Sequence, residues 1–195
     1  MADFRKPEHM TSAYGAEDLV PKNDPVIRFR GALDHAEAEV ILTQAILQKE
    51  RDLQEGKPSA YTEELISHLQ ELLCTLRKIM TCEYSGEELK LDRLFGLTLD
   101  ELQERSHNAK SYYGVATMTR PDFTYGETYA RLNLIRTELR LVEAAAVELF
   151  CGEGASDGST AEPARPDLLH VLNRLSSGVH CLMCRYLSDT LVKEM

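Results

Sequence analysis

The stretch ETYARLNLIRTELRLVEAAAVELF, residues 127–150, decides the fold. Neither Gly nor Pro interrupts it, and Leu, Ala, Glu and Arg dominate, so it reads as a helix. At about 100° per residue, Arg136, Arg140 and Glu143 fall within a narrow band of one face, with Asn133 at its edge. Leu132, Ile135, Leu139, Val142 and Ala146 form an apolar sector beside that band. Leu134, Leu141 and Ala145 form a second sector roughly opposite. Two apolar sectors predict a helix packed on two sides, the central helix of a bundle. Charges held between such sectors need partners, because unpaired burial is costly. Other side chains or an anionic ligand would serve, and a solvated stripe with i,i+4 pairing is the bland alternative.

Around this helix, 195 residues suit one domain with a sizeable core. The formal charge of −10 argues against nucleic acid or an anionic membrane surface as the main partner. An anionic ligand would have to be held by a local cationic pocket. No stretch approaches the roughly 20 apolar residues of a membrane span, and the first ten residues are polar, so neither anchor nor signal peptide is expected. Five scattered cysteines, an odd number, fit a reduced cytoplasmic protein.

Residues 1–23, punctuated by Pro7, Gly15 and Pro21, read as an extended arm ahead of a helical domain spanning 24–195. Asp24-Pro25 gives an N-cap followed by Pro at the first helical position. The helix it opens is expected to reach about Glu55, with Phe29, Leu33, Ala36, Val40, Thr43 and Leu47 facing inward and Asp34 placed unusually among them. Gly56-Lys57-Pro58-Ser59 turns the chain. A second helix, roughly Tyr61 to Cys82, repeats Leu65, Leu69, Leu72, Leu76 and Ile79, and Ser85-Gly86 breaks it. Thr98-Leu99-Asp100-Glu101 opens a short helix to about His107. From Asn108 to Tyr125 the pattern dissolves into an aromatic-rich segment, either a ligand-facing loop or a plug over the bundle end. Residues 152–165 read as a mobile loop. Pro166-Asp167 starts a last helix with Leu168, Leu172, Leu175, Val179, Leu182, Met183 and Tyr186 on one stripe. His170, Asn173, Ser177, His180, Cys181 and Cys184 occupy its other face. The expected architecture is all-α, an up-and-down bundle of four long helices plus one short one.

Lys22-Asn23-Asp24-Pro25 followed by Asp34, then Arg136-Thr137-x-x-Arg140-x-x-Glu143, then Leu172-Asn173-Arg174-Leu175-Ser176 resemble, in this order, the motifs of the PduO-type cobalamin adenosyltransferases. The ethanolamine-utilisation branch, the EutT-type enzymes, is a closer resemblance. It is carried by Lys22 to Pro25, Phe29 to Asp34, Ser106-His107, Leu132 to Thr137 and Arg165 to Ser177, and it covers about residues 18–186. The resemblance implies transfer of the 5′-deoxyadenosyl group of ATP to cob(I)alamin with release of triphosphate. It implies ATP binding by Arg136, Arg140, Glu143 and Asn173, with Lys22 contributing from the arm and Mg²⁺ accompanying the nucleotide. Cations suit phosphate oxygens, while Glu and Asn suit ribose, base or Mg²⁺. It further implies that Asp34 and Arg136 pair near the reaction centre, in some members across a subunit boundary. Tyr112, Tyr113 and Phe123 are the candidates to face cobalamin and displace its lower ligand. A homotrimer with sites between subunits is implied, a dimer being the alternative. Ethanolamine ammonia-lyase and a bacterial microcompartment are the implied partners.

Two departures stand out. The Thr-Gly-Asp-Gly-Gly phosphate loop of PduO-type chains is absent, and Lys22 is the obvious cation in its place. The His/Cys-rich metal-binding extension of many EutT-type proteins is absent too, so no structural metal is expected. Cys181-x-x-Cys184 with His180 and His170 lacks a second ligand pair, and Glu104-x-x-His107 with Asp167-x-x-His170 lacks the further inward Glu of a di-iron bundle. A non-catalytic interaction or cobalamin-carrier bundle is the rival reading. It explains the apolar stripes but not the arginine band.

Overall fold

The computed structural model describes residues 6–15, 17–53, 60–116, 119–152 and 162–191. Four long helices form the expected bundle: α1 (Pro25–Leu53), α2 (Ala60–Ser85), α5 (Gly126–Cys151) and α6 (Pro166–Leu191). Two short ones, α3 (Leu99–His107) and α4 (Ala109–Tyr113), lie in the α2–α5 connection. In cross-section the ring runs α1, α2, α6, α5. Each neighbouring pair is antiparallel, as the contacts Arg30–Glu83, Tyr61–Leu182, Asn173–Glu143 and Arg28–Glu148 record.

The starts and stops follow local chemistry. Asp24 Oδ1 accepts the Val26 N–H at 2.9 Å and caps α1. Thr98 and Glu101 form a capping box that opens α3. Gly114, at φ +70°, closes α4 in the left-handed conformation. The inward positions expected on α1 and α2 are buried, and so are Leu132, Ile135, Leu139, Val142 and Ala146 of α5. The turn at residues 56–59 and most of the loop at 152–165 lie outside the described residues.

Three expectations change. The extended arm is a hairpin: β1 (Met10–Ser12) pairs antiparallel with β2 (Leu19–Pro21), Thr11 opposite Val20. Strands this short carry no readable alternation, and tertiary contacts hold them. The single short helix becomes two, followed by a 3₁₀ turn at Phe123–Tyr125 and preceded by a two-residue ladder, β3 (Arg93–Leu94) and β4 (Leu97–Thr98). The second apolar sector of α5 is only partly covered within the chain: Ala145 packs against the core, but Leu141 is 59% exposed, and Ile41 and Leu42 of adjacent α1 are exposed as well.

The connection between α2 and α5 explains the site's position. α2 ends beside the start of α6, whereas α5 begins beside Tyr186 near the other end. Residues 86–116 therefore travel along the outside of α6, and α3 and α4 pack against it. This covers Cys181, whose thiol lies 3.7 Å from the Leu102 carbonyl; it and Cys184, expected on the other face from the apolar stripe, are both buried. The ladder is seated by Phe95, whose ring would lie 2.9 Å from a Cβ at position 178, so Gly178 is needed for the close approach. Where α6 begins, Arg165 donates to the Cys82 and Glu87 carbonyls, both at 2.8 Å, and to Asp167 at 2.9 and 2.7 Å. Asp167 in turn accepts the Leu89 N–H at 2.8 Å. Arg165 thus supplies a donor to an orphan carbonyl at the end of α2.

Candidate active site

One long cleft opens where α5 and α6 meet the α2–α5 connection. Its two lobes enclose about 310 and 360 Å³ and share Arg136, Arg140 and His180. Arg120, Tyr129 and Met183 complete the first lobe, and Ser106, His107 and Ser176 line the second. Each lobe falls at the lower end of the size range of small-molecule sites.

Arg136 is half-buried, and its Nε and Nη2 both reach Asn133 Oδ1, at 3.3 and 3.0 Å. Burial, and then the nearby charge of Arg140, lower its pKa. Two guanidinium groups one turn apart repel, and no carboxylate among the described residues lines either lobe to offset them. The acids on the same helix are engaged elsewhere. Glu138 lies 3.6 Å from His35 of α1, and Glu143 accepts the Asn173 amide at 2.6 Å. His180 is held toward its neutral form by burial and by Arg136, and its Nε2 lies 3.5 Å from the Cys184 thiol. Burial pushes Cys184 up to about 12, so the thiol stays protonated in its packed position. Among the described residues no three His, Cys, Asp or Glu converge as a metal site.

Arg136, Arg140, Glu143 and Asn173 thus form one row along the α5–α6 seam. Lys22 and Asp34 stand apart from it. Lys22 is exposed on the hairpin, at the end of the bundle where α1 begins. That end is level with Glu148, eight residues beyond Arg140, or roughly 12 Å at helical rise. Asp34, expected on a buried face, is exposed on α1 and makes no contact with Arg136 within the chain. The apolar period of α1 steps around it, from Leu33 to Ala36.

The aromatic candidates also separate. Phe123, 87% exposed, sits on the 3₁₀ turn directly after the cleft-lining Arg120-Pro121. Tyr112 donates to Glu104 at 2.7 Å beneath the Arg105 guanidinium. Tyr113 is half-buried in a separate pocket with His68, Arg105 and Cys181, and burial raises its pKa strongly. Sequence reasoning did not assign Arg120, His107, Ser176 or His180 to the site. His107 and Ser176 lay inside motifs already noticed, whereas nothing local marked Arg120.

The sequence profile of the cobalamin adenosyltransferase family matches residues 4–187. The chain is 32% identical over 179 residues to the corrinoid adenosyltransferase EutT of Salmonella typhimurium, and 31% identical over the same length to that of Escherichia coli. Each alignment covers 92% of this chain but 59% of the relative, so the chain spans under two thirds of these proteins' length. The fold is also that of a Phe-to-Ala variant of a PduO-type ATP:corrinoid adenosyltransferase from Lactobacillus reuteri, complexed with cobalamin and ATP. The TM-score is 0.61 at 18% identity, covering 94% of this chain and 91% of the other.

Proposed function

The chain belongs to the cobalamin adenosyltransferase family, and from that premise we propose that it transfers the 5′-deoxyadenosyl group of ATP to the cobalt of reduced cobalamin. The reduced cobalt attacks C5′, the C5′–O bond breaks, and triphosphate leaves with the bonding pair. Cobalt is itself the nucleophile, so the protein needs no Ser, Cys or Lys nucleophile, and the buried cysteines fit that economy. The protein's work is to align C5′ with cobalt and to stabilise charge on the departing triphosphate.

The observation that carries the reading is the acid-free pair Arg136 and Arg140 in a chain of net charge −10. Uncompensated guanidinium charge, already depressed in pKa by burial and then by its neighbour, is a receptor for a polyanion. Asn173 and Glu143, hydrogen-bonded to each other in the same row, suit ribose or base. Glu143 is also the carboxylate that would take Mg²⁺ accompanying the nucleotide, an ion that supplies further charge neutralisation at the phosphates. Phe123 is the aromatic best disposed to face the corrin ring, with Tyr112 and Tyr113 farther along the connection.

Lys22 and Asp34 belong to the site if copies of the chain share it. Ile41 and Leu42 of α1 and Leu141 of α5 are exposed apolar side chains that a homotrimer would cover, and Asp34 is exposed on α1 as well. A neighbouring copy would bring Asp34 to Arg136 and Lys22 to the phosphates. The product would serve ethanolamine ammonia-lyase, in the cytoplasm or a microcompartment. No described helix is long and apolar enough to cross a membrane.

The test is direct. Protein given MgATP and cob(II)alamin under strong reduction forms adenosylcobalamin and free triphosphate, followed by the corrin spectrum. Release of ADP and phosphate without a corrin change would overturn the proposal.

A further inference from the structure

Outside the cleft, the carboxylate of Glu83 near the end of α2 is 1% exposed. It accepts hydrogen bonds from Arg30 Nε at 2.7 Å, Arg30 Nη2 at 3.1 Å and Tyr14 Oη at 2.7 Å. Arg30 gives its remaining terminal nitrogen to the Ala13 carbonyl at 2.6 Å. Its guanidinium lies 4.8 Å from the Tyr14 ring centre and 5.6 Å from that of Tyr84, whose hydroxyl donates to the Tyr14 carbonyl at 3.1 Å. Burial and the Glu83 carboxylate push Tyr14 up to about 12, so its hydroxyl keeps the donated proton.

A buried ion pair contributes little net stability compared with apolar packing of the same volume. This one is also more elaborate than helix packing requires, because half of its partners lie on the hairpin. Two three-residue strands would not persist alone in water. The hairpin is fixed at two places: the knot holds its loop at Ala13 and Tyr14, and the Asp24 cap joins its far end to α1. Lys22 lies between them, one residue past β2, with its N–H bonded to the His9 carbonyl at 2.9 Å. Its ammonium is exposed and outside every ion pair found among the described residues.

We propose that Glu83, acting through Arg30 and Tyr14, is the positioning residue that fixes the hairpin and so presents Lys22 to the nucleotide phosphates. This rests on Lys22 being a phosphate ligand in the reaction above. The charged network substitutes for a phosphate-binding loop of fixed backbone: a flexible lysine is useful only when the segment carrying it is rigid.

The test uses the full chain with Glu83→Gln and, as a milder variant certain to spare the core, Tyr14→Phe. Amide hydrogen exchange over residues 10–22 reads the hairpin, and steady-state kinetics read ATP. Glu83→Gln speeds exchange and raises KM for ATP about tenfold with kcat within about twofold, as expected for losing a charge-assisted hydrogen bond that acts only on binding. Tyr14→Phe shifts both in the same direction by less. In a Lys22→Ala background, Glu83→Gln adds no further rise in KM. Multiplying effects of the two substitutions would overturn the proposal, as would an unchanged KM in both knot variants while Lys22→Ala raises it. If Lys22→Ala leaves KM unchanged although Glu83→Gln loosens the hairpin, the assignment of Lys22 itself fails.

Discussion

Arg136 directs its hydrogen bonds to Asn133, one turn back on its own helix, and none to a carboxylate among the described residues. A guanidinium so placed is oriented but not neutralised. Arg136→Ala should lower kcat/KM about a hundredfold, in line with removing one charge-stabilising donor from a reaction centre. Thermal stability should hold or rise, because the substitution relieves repulsion from Arg140. Asn133→Ala should cost less and act mainly on kcat by freeing the Arg136 rotamer. Steady-state kinetics beside a melting curve separates orientation from charge.

Asp34→Asn and Arg136→Ala should couple by about 1–3 kcal/mol in kcat/KM when the protein is assembled. They should not couple in the stability of an isolated monomer, where the two side chains do not meet. A double-mutant cycle with native mass measurement decides this. Simple additivity in the oligomer would remove Asp34 from the site.

Asp167 is held at about pH 2 by its hydrogen bond from Arg165, which outweighs burial, with help from the Leu89 and Leu168 amides. A carboxylate with a folded pKa below its ordinary 3.8 contributes stability that is complete above the unfolded value and lost as pH falls through the folded one. Asp167→Asn should therefore destabilise the protein at pH 7 by about 1 kcal/mol after solvent screening. The gap from wild type should close between about pH 4 and pH 2. Urea titrations across that range test the sign.

Gly178→Ala would set a Cβ 2.9 and 3.3 Å from two atoms of the Phe95 ring. Phe95 is nearly buried, and its N–H is bonded to Glu71 at 3.0 Å, so the ring has little room to retreat. The cost should be about 1–3 kcal/mol of overpacking. Phe95→Leu in the same chain should recover part of it. Because the ladder carrying Phe95 leads directly into α3, cleft-lining Ser106 and His107 should shift, and KM for cobalamin is the kinetic reading.

The long helices were legible because their signals are local: an Asp-Pro start, a capping box, and Leu recurring at helical spacing. The row Arg136, Arg140, Glu143 and Asn173 was legible for a related reason, since helical periodicity fixes which side chains share a face. What escaped was set by long-range packing. The hairpin depends on Glu83, about 70 positions from Tyr14 in sequence, and no pattern within residues 6–23 encodes that contact. Cys181 took its burial from α3, whose path along α6 follows from where α2 stops and α5 starts. Asp34 failed in the opposite sense. It directly follows buried Leu33, yet one position of phase turns it outward.

The clamp between Arg165 and the end of α2 bears on how the chain reaches this state. α1 with α2, and α5 with α6, are helical pairs close in sequence, able to zip early. The α2–α6 seam instead joins residues 83 and 121 positions apart, Arg165 to Cys82 and Tyr61 to Leu182. The α1–α5 seam is as long-range, but it is far more extensively packed, so the α2–α6 seam should form late, after the folding transition state. Arg165→Ala should then speed unfolding and leave the refolding rate nearly unchanged, a one-armed shift of the chevron. Under denaturant this bundle should part first between α2 and α6, with α1 and α5 still packed together.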